Sequence, residues 1–273
     1  MHITPHISPL TLLMRQIDAR ADGDVSLDTV PTGFPSIDRL LGGGPRTGDL
    51  IVLGGDVGSG KSALGLAIAM RAALAGHRTV FYSGEMSPDR LHERMLAIQG
   101  RARIDDIRQG ALDDTARAGV GVATVTMREL PTMTETLPTT VDQLDVTDRR
   151  LVIVDSLQSL VTGTRSTDEE VAAAVRALKA LAITANVAIV ATSHLPGLQR
   201  DQRPTLDDFG ALQAIKQHAD VVLGLFREEM YANTRAVEGA TELHALKNRN
   251  GATGYVDLYF YKQWMRFEDL LEN

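Results

Sequence analysis

Cysteine is absent from this chain of 273 residues, and aromatic residues make up only 4% of it. The absence of cysteine excludes disulfides, iron–sulfur clusters, thiolate zinc sites and cysteine nucleophiles, and it fits a reducing compartment. The scarcity of aromatic residues argues against an interleaved platform on which nucleic-acid bases would stack. Any contact with a nucleic-acid strand must then depend mainly on the strand's backbone.

Basic charge is also scarce, because 28 lysine and arginine residues face 35 acidic ones and the formal net charge is −7. A protein that coats nucleic acid over its whole surface is normally basic, so such a contact here must be local. Long apolar runs are missing too: the stretch 63–75 is interrupted by Arg71 and is too short to cross a bilayer. Since the N-terminus is unlike a secretory signal, we expect a cytoplasmic protein without a membrane segment.

Strands and helices alternate along the sequence from residue 49 onward. The predicted strands are short apolar runs, at residues 50–53, 79–83, 151–154, 187–192, 221–226, 243–246 and 255–261. The predicted helices cover residues 61–75, 88–99 and 168–185. Continuous apolar runs are typical of strands that are covered on both faces. The alternation therefore predicts an α/β fold, a doubly wound and mostly parallel sheet with helices on both faces.

Ahead of this pattern, residues 1–30 are predicted to form an N-terminal arm, and residues 31–273 a single domain. A short helix over residues 8–20 would place apolar side chains on one face, those of Leu10, Leu13, Met14 and Ile17. This apolar face must be buried, either on the arm's own domain or on a neighbouring subunit. The sequence leaves both possibilities open.

The strongest motif is a glycine-rich stretch that follows the first predicted strand and opens the first long helix. It matches the pattern G-x-x-x-x-G-K-[ST] and consists of Gly55, Asp56, Val57, Gly58, Ser59, Gly60, Lys61 and Ser62. Glycines let consecutive backbone N–H groups point at phosphate oxygens, and the helix N-terminus adds its positive end. We predict a nucleotide site in which Lys61 neutralises the β- and γ-phosphates and the Ser62 hydroxyl binds Mg²⁺. The alternative is a bare glycine-rich turn with a surface lysine.

Three side chains at or just after the ends of predicted strands complete this nucleotide site. Asp155 follows a buried strand, which brings a second carboxylate beside the phosphate loop for the magnesium ion. Glu85 is the best-placed base for an attacking water, and His194 is placed to sense the γ-phosphate. Each residue also has a plainer explanation. Asp155 could be a turn residue that ends a strand, Glu85 an acid favoured at a helix N-terminus, and His194 a histidine bonded to loop carbonyls.

In combination, these motifs and their order resemble the motor domain of DnaB-type replicative helicases. The matching stretches, in chain order, are Thr32-Gly33-Phe34 with Asp38, the phosphate loop, Ser83-Gly84-Glu85-Met86, residues 101–112, Val154-Asp155-Ser156-Leu157-Gln158, Lys247-Asn248-Arg249-Asn250-Gly251 and Gln263-Trp264-Met265-Arg266-Phe267. They span residues 30–267, nearly the whole chain. The resemblance implies a RecA-like ATPase core that works as a ring, usually a hexamer, with ATP and Mg²⁺ bound between neighbouring subunits.

Carried over residue by residue, the resemblance assigns the phosphate loop to ATP binding, Glu85 to catalysis and Asp155 to the magnesium site. Lys247 and Arg249 match basic residues that such rings insert into the ATP site of the neighbouring subunit. An arginine supplied by a neighbour would neutralise charge that builds on the γ-phosphate and would couple the subunits. The plainer alternative is an exposed basic pair, since residues two apart on a strand point the same way.

Two features depart from the family pattern. The family carries an N-terminal helical domain that organises the ring and meets primase, whereas this sequence shows only the arm, which would dock on the next subunit instead. Where the family has an arginine that holds the DNA backbone, counting back from Asp220 leads to Gly210. The candidates to supply that positive charge to DNA are Arg165, Arg200 and Arg203, unless they are solvated loop residues.

These observations favour a ring-forming ATPase that moves on single-stranded DNA in its pore and separates the duplex. A loader or another replication protein is a further partner that the resemblance allows, and the sequence does not identify it. The alternative is a regulatory or assembly ATPase whose ring acts on a protein. The acidic balance, the missing helical domain and Gly210 favour that alternative, whereas the motif order favours the helicase. A nucleotide-binding module without turnover is disfavoured because Glu85, Asp155 and Arg249 occur together.

Overall fold

The structure, a computed structural model, describes residues 8–22, 28–199, 201–231 and 238–270. Its helices are α1 (Pro9–Ala21), α2 (Pro35–Leu40), α3 (Lys61–Leu74), α4 (Pro88–Gly100), α5 (Ile104–Gln109), α6 (Asp114–Arg128), α7 (Thr167–Ala185) and α8 (Ala214–His218). Its strands are β1 (Leu50–Gly55), β2 (Thr79–Ser83), β3 (Thr132–Thr136), β4 (Leu151–Asp155), β5 (Ala188–His194), β6 (Val221–Arg227), β7 (Ala240–Asn248), β8 (Gly254–Tyr261) and β9 (Arg266–Asp269). Within these ranges, every helix is too short or too polar to span a bilayer.

The nine strands form one sheet in the order β3-β2-β4-β5-β1-β6-β7-β8-β9. The six strands from β3 to β6 in this order run parallel, and β7, β8 and β9 continue the sheet as antiparallel neighbours. This arrangement confirms the predicted α/β fold with a mostly parallel sheet. The carboxyl ends of the parallel strands share one edge, where open α/β sheets bind their ligands.

Alternate residues of the buried strands face two separate helical layers. In β4, Ile153 belongs to an apolar cluster with Leu64 of α3 and Leu91 of α4, whereas Val152 and Val154 belong to the cluster that contains α7. The core therefore lies on both sides of the sheet. Because both faces are covered, β1, β2, β4 and β6 are buried along their whole length and appear in the sequence as continuous apolar runs.

Six elements were not predicted from the sequence: α2, α5, α6, α8, β3 and β9. The edge strand β3 has no fully buried residue, and in the short opposite edge strand β9 only Phe267 is buried. In α6, Ala123 alone is buried. These elements are short or shallowly buried, so their sequences lack the apolar periodicity on which the prediction depended.

The arm contains the predicted helix, and its apolar face is exposed. The side chains of α1 on this face are 73% exposed for Leu10, 48% for Leu13, 53% for Met14 and 46% for Ile17. The described part of this subunit therefore does not bury them. In contrast, Val30 is fully buried in the core of the domain.

Helices α6 and α4 contact each other closely at Gly119 and Gly100, and this contact leads to a stability prediction. A Cβ on Gly119 would lie 2.4 Å from the carbonyl oxygen of Gly100. The variant Gly119→Ala would force the two helices apart, and we expect it to lower the free energy of unfolding by about 1–3 kcal/mol. Gly121, in the same helix, has no atom within 4 Å of its Cβ position, so Gly121→Ala should stabilise by up to about 1 kcal/mol. Urea denaturation measures both; equal effects would contradict this packing.

Candidate functional site

The phosphate loop connects β1 to α3 at the carboxyl edge of the sheet. Gly58 and Gly60 have φ angles of +81° and +105°, in the left-handed region that favours glycine. A Cβ on Gly60 would also lie 2.8 Å from the Phe267 ring, so both conformation and space require glycine there. The loop thus follows the path that its sequence predicts, ending at the N-terminus of a 14-residue helix. That N-terminus favours an anion such as phosphate.

Lys61 opens α3 and folds its side chain back over the loop. Its side chain is almost fully buried, and its ammonium donates hydrogen bonds to the carbonyl oxygens of Gly55 at 3.0 Å and Asp56 at 2.9 Å. Burial lowers the pKa of Lys61, while the carboxylates of Asp155 and Glu85 act in the opposite direction. The Lys61 side chain is thus buried at the start of α3 and tied to two carbonyls of the loop.

Asp155, at the end of β4, is a buried carboxylate beside Ser62. Its Oδ1 accepts hydrogen bonds from the Ser62 hydroxyl at 3.1 Å and from the Thr192 hydroxyl at 2.5 Å. Its Oδ2 is buried without a hydrogen-bond partner among the described residues. Burial raises the pKa of Asp155. A free carboxylate oxygen beside a hydroxyl is a donor set that suits Mg²⁺, so Ser62 and Asp155 fit the predicted metal.

Glu85 and His194 meet at the mouth of the same site. The Nε2 atom of His194 lies 3.1 Å from Oε1 of Glu85, and the Ser156 hydroxyl donates to this oxygen at 2.9 Å. The backbone N–H of His194 donates to the side chain of Gln158 at 3.1 Å. His194 is thus bonded to a carboxylate rather than to the loop carbonyls of its plainer explanation. The Glu85 carboxylate is thus held by two partners, Ser156 and His194, at the cavity.

One cavity of about 520 Å³ joins these groups. The parallel pairing of the strands brings these groups together, because Ser83 is in register with Asp155, and Gly55 is in register with His194. Of the predicted residues, those that line the cavity are Val57, Gly58, Gly60, Lys61, Ser62, Glu85, Asp155 and His194. Its wall also includes apolar side chains, of Met230, Phe260 and Met265. A charged end and a partly apolar end suit a nucleotide.

Two arginines in the cavity wall were missed by the sequence analysis. Arg227, at the end of β6, is almost fully buried, donates to the carbonyl of Gly58 at 3.1 Å and to the Glu229 carboxylate, and lies 4.6 Å over the Phe260 ring. Arg94, on α4, has a lowered pKa, chiefly because of burial. Neither belongs to a motif. The one available signal was that Arg227 directly follows a buried apolar run.

Lys247 and Arg249 lie at the amino-terminal ends of the parallel strands, whereas the phosphate loop lies at their carboxyl ends. Because β7 runs antiparallel to β6, its last residue, Asn248, pairs with Val221 at the start of β6. The phosphate loop instead follows Gly55, which pairs near the other end of β6. The two basic residues therefore do not belong to the cavity of their own subunit.

Both basic side chains are bonded to groups near the end of α8. The Lys247 ammonium donates to the carbonyl of Lys216 at 2.7 Å and to a second carbonyl just beyond the helix. The Arg249 guanidinium donates to the Asp220 carboxylate at 3.0 Å and to the Gln217 carbonyl at 2.7 Å. Both side chains are thus bonded within their own subunit, with Lys247 half-buried and Arg249 still 48% exposed, as in the exposed pair of the plainer alternative.

The four candidates for DNA contact have different surroundings. Arg203 donates two hydrogen bonds to Glu242, at 2.7 and 2.6 Å, so its charge is already paired within the subunit. Arg165 is exposed, in the loop ahead of α7, and Gly210 begins a turn with a φ angle of +61°. Arg200 lies outside the described residues. Among the described arginines of this set, Arg165 has a guanidinium without a hydrogen bond or close ion pair to the described residues, although its charge helps to lower the pKa of Glu169.

Comparison with known proteins identifies the family. The family model of the DnaB-like helicase C terminal domain matches residues 29–269. The chain belongs to this family. The replicative DNA helicase DnaB of Leifsonia xyli subsp. xyli is 31% identical over 281 residues, 97% of this chain and 61% of that protein. The replicative DNA helicase DnaC of Bacillus subtilis is 31% identical over 267 residues, 91% of this chain and 58% of that protein. This DnaB-family chain thus spans about three fifths of the length of these curated relatives.

Solved structures share the fold of this DnaB-family domain. A DnaB-like replicative helicase, described with its interactions with primase, has a TM-score of 0.82 at 22% identity and is matched over 97% of this chain and 67% of its own. A solved ATPase domain has a TM-score of 0.86 at 22% identity, over 97% of this chain and 99% of its own. These likenesses confirm the RecA-like core that the sequence analysis predicts.

Proposed function

We propose that this DnaB-family domain hydrolyses ATP at the interfaces of a ring, moves on single-stranded DNA and unwinds the duplex. The observation that carries the proposal is the meeting of Lys61, Ser62, Asp155 and Glu85 around one cavity in a chain of this family. The names of the curated relatives, replicative DNA helicases, support the DNA substrate. The neighbour described with primase supports a loader or another replication protein as a further partner.

Within one subunit, the cavity residues divide the chemistry of hydrolysis. Lys61 and the loop N–H groups would bind the β- and γ-phosphates, and Ser62 with Asp155 would hold Mg²⁺, which supplies positive charge between the phosphates. Glu85 would orient the attacking water and accept its proton. His194, bonded to the same Glu85 oxygen, would contact the γ-phosphate and so link its presence to the position of the base.

Lys247 and Arg249 would complete the site of a neighbouring subunit. In a ring of like subunits, one surface of each subunit meets a different surface of the next. The two residues lie at the end of the parallel strands opposite the phosphate loop. Such a head-to-tail contact can therefore bring them to a neighbour's cavity. Arg249 would there neutralise charge on the γ-phosphate. The ring proposed is a hexamer.

The arm is proposed to hold the ring together by docking the apolar face of α1 on the next subunit. We expect removal of residues 1–22 to convert the ring into smaller species, because an apolar face that the described part of its own subunit leaves exposed gains most from burial against a neighbour. The deletion stops before Val30, which belongs to the core. Analytical ultracentrifugation measures the assembly.

The double variant Leu13→Asp, Ile17→Asp should have the same effect on the assembly as this deletion. The control is Arg15→Ala, a change at an exposed polar position of the same helix, which should leave the ring intact. A ring that persists after deletion of the arm would refute this role.

Unwinding of a forked DNA duplex tests the proposed function. We expect strand displacement with ATP and Mg²⁺, none without ATP, and none by the variant Lys61→Ala. The duplex should carry a single-stranded tail, since the proposed path is a strand in the pore. Failure to bind or unwind such a fork, in a preparation that hydrolyses ATP and forms rings, would contradict the helicase and favour action on a protein partner.

A further inference from the structure

The first turn of α7 carries three consecutive acidic residues, and each holds a different segment of the chain. Glu169 forms a capping box with Ser166, whose backbone N–H and hydroxyl it accepts at 3.2 and 2.8 Å. Asp168 and Glu170 reach away from the helix to two loops on the same side of the domain. One of these loops, residues 162–165, contains Arg165; the other, residues 210–213, contains Gly210.

Glu170 accepts hydrogen bonds from every backbone N–H of the loop 162–165. The distances are 3.0 Å from Gly163, 2.8 Å from Thr164 and 2.9 Å from Arg165, and the N–H of Thr162 donates as well. The hydroxyls of the two threonines add bonds of 3.0 and 2.8 Å. The Glu170 side chain is almost fully buried. A single carboxylate therefore fixes the path of four consecutive residues.

The ionised form of Glu170 is the form that suits these donors. Burial raises the pKa of this carboxyl group, but the hydrogen bonds from the Thr164 hydroxyl and from the N–H groups of Gly163 and Arg165 outweigh burial and lower the pKa to about 2. At neutral pH the group is a carboxylate with acceptor capacity on both oxygens. A neutral amide in its place would turn an N–H₂ donor toward N–H groups of the loop.

Asp168 holds the second loop to the same helical turn. Its Oδ1 accepts the backbone N–H of Ala211 at 3.1 Å. Ala211, Leu212 and Gln213 have φ angles of +53°, +49° and +64°, a conformation that residues with a side chain rarely adopt. A loop in such a conformation needs support from outside itself. Asp168 supplies part of that support, so both loops are attached to one rigid element.

We propose that Glu170 is a positioning residue for DNA: it holds the loop 162–165 so that Arg165 meets the backbone of the single strand. The proposal rests on the proposed function and names the residue that organises its strand contact. Arg165 is exposed and its guanidinium forms no ion pair or hydrogen bond with the described residues, whereas its own backbone N–H is bound by Glu170. Fixing the backbone of this residue fixes the direction from which its charge approaches a phosphate.

The variant Glu170→Gln tests this role, with Glu169→Gln as the matched control one residue earlier in the same turn. We expect Glu170→Gln to raise hydrogen exchange of the amides at 162–165 at least tenfold. We expect the strand concentration for half-maximal stimulation of ATP hydrolysis to rise at least tenfold, with the rate at saturating strand and the strand-free rate within about twofold of the parent chain. Glu169→Gln removes a charge that acts on Arg165 but no bond to the loop 162–165, so it should leave exchange at 162–165 within twofold and should not raise the half-maximal strand concentration.

Two further variants separate positioning from stability. Arg165→Ala should raise the half-maximal strand concentration as Glu170→Gln does, without faster exchange at 162–164. Thr164→Val, which removes one hydroxyl donor to Glu170, should move exchange and half-saturation in the same direction by a smaller factor, and it keeps the test usable if Glu170→Gln folds poorly. A purely structural role would lower the strand-free rate together with strand affinity.

Unchanged exchange at 162–165, or unchanged half-saturation despite faster exchange, would overturn the role of Glu170. Equal effects of Glu169→Gln would overturn it as well. If the parent chain binds no strand, the proposed function fails and the strand contact of Arg165 fails with it, whereas strand binding that Glu170→Gln leaves intact overturns only the positioning role.

Discussion

Replacing Glu85 by glutamine is expected to slow ATP hydrolysis by about 10²–10⁴-fold and to leave nucleotide affinity nearly unchanged. An amide cannot accept a proton from water, so the chemical step loses its base. The phosphate-binding groups, Lys61 and the loop N–H groups, stay in place. Glutamine also keeps an oxygen that can accept from Ser156, which donates to Glu85 at 2.9 Å. Single-turnover hydrolysis and equilibrium binding of a fluorescent nucleotide separate the two effects.

The matched control for Glu85→Gln is Asp89→Asn. Asp89 is an exposed acid in the first turn of α4, four residues along the chain and outside the cavity wall. It tests whether loss of negative charge in this region is enough to slow hydrolysis, and we expect a change of less than about twofold. Undiminished hydrolysis by Glu85→Gln, or equal losses in both variants, would show that Glu85 is not the base.

The second large effect is expected at Arg249, which should act on the neighbour's nucleotide. The variant Arg249→Ala should lower hydrolysis by about 10³-fold or more while each subunit still binds ATP. The variant should fold, because Asp220 keeps two other partners, Lys179 at 2.6 Å and the backbone N–H of Leu50 at 2.8 Å. Lys247→Ala should act in the same direction, since its ammonium lies on the same surface.

Mixed rings test whether this action crosses the subunit interface. Lys61→Ala and Arg249→Ala chains are each expected to be inactive alone. In a random 1:1 mixture, about a quarter of the interfaces join an intact phosphate loop to an intact Arg249, so activity should return to roughly that fraction. A mixture of Lys61→Ala with Glu85→Gln is the control, because both changes damage the same half of the interface and no intact site can form. Recovery in neither mixture would contradict action in trans.

The sequence was most informative where burial is continuous. Strands β1, β2, β4, β5 and β6 are covered on both faces, so their apolar runs stand out and the parallel sheet follows from the alternation with helices. The polar edge strand β3 and the shallowly buried helix α6 gave no such pattern. Their positions depend on contacts such as the approach of Gly119 to Gly100, which local sequence does not encode.

The candidate site shows the same division. The phosphate loop, Glu85, Asp155 and His194 were predictable because strand ends of a parallel sheet converge on one edge. Arg94 and Arg227 were not, since only the folded chain brings them to the cavity. Likewise, the pairing of Arg203 with Glu242 joins residues 39 positions apart, so no local pattern could show that this cation is already neutralised.

Steady-state ATP hydrolysis, measured with and without a single-stranded oligonucleotide over a range of salt concentrations, tests the central claim most directly. If ATP turnover serves movement on a strand, the oligonucleotide should stimulate hydrolysis, and the stimulation should weaken steeply with salt because phosphate contacts release counterions. Stimulation should be lost in Arg249→Ala, which still binds nucleotide. Hydrolysis that is indifferent to the oligonucleotide at both low and physiological salt would contradict a motor that works on DNA.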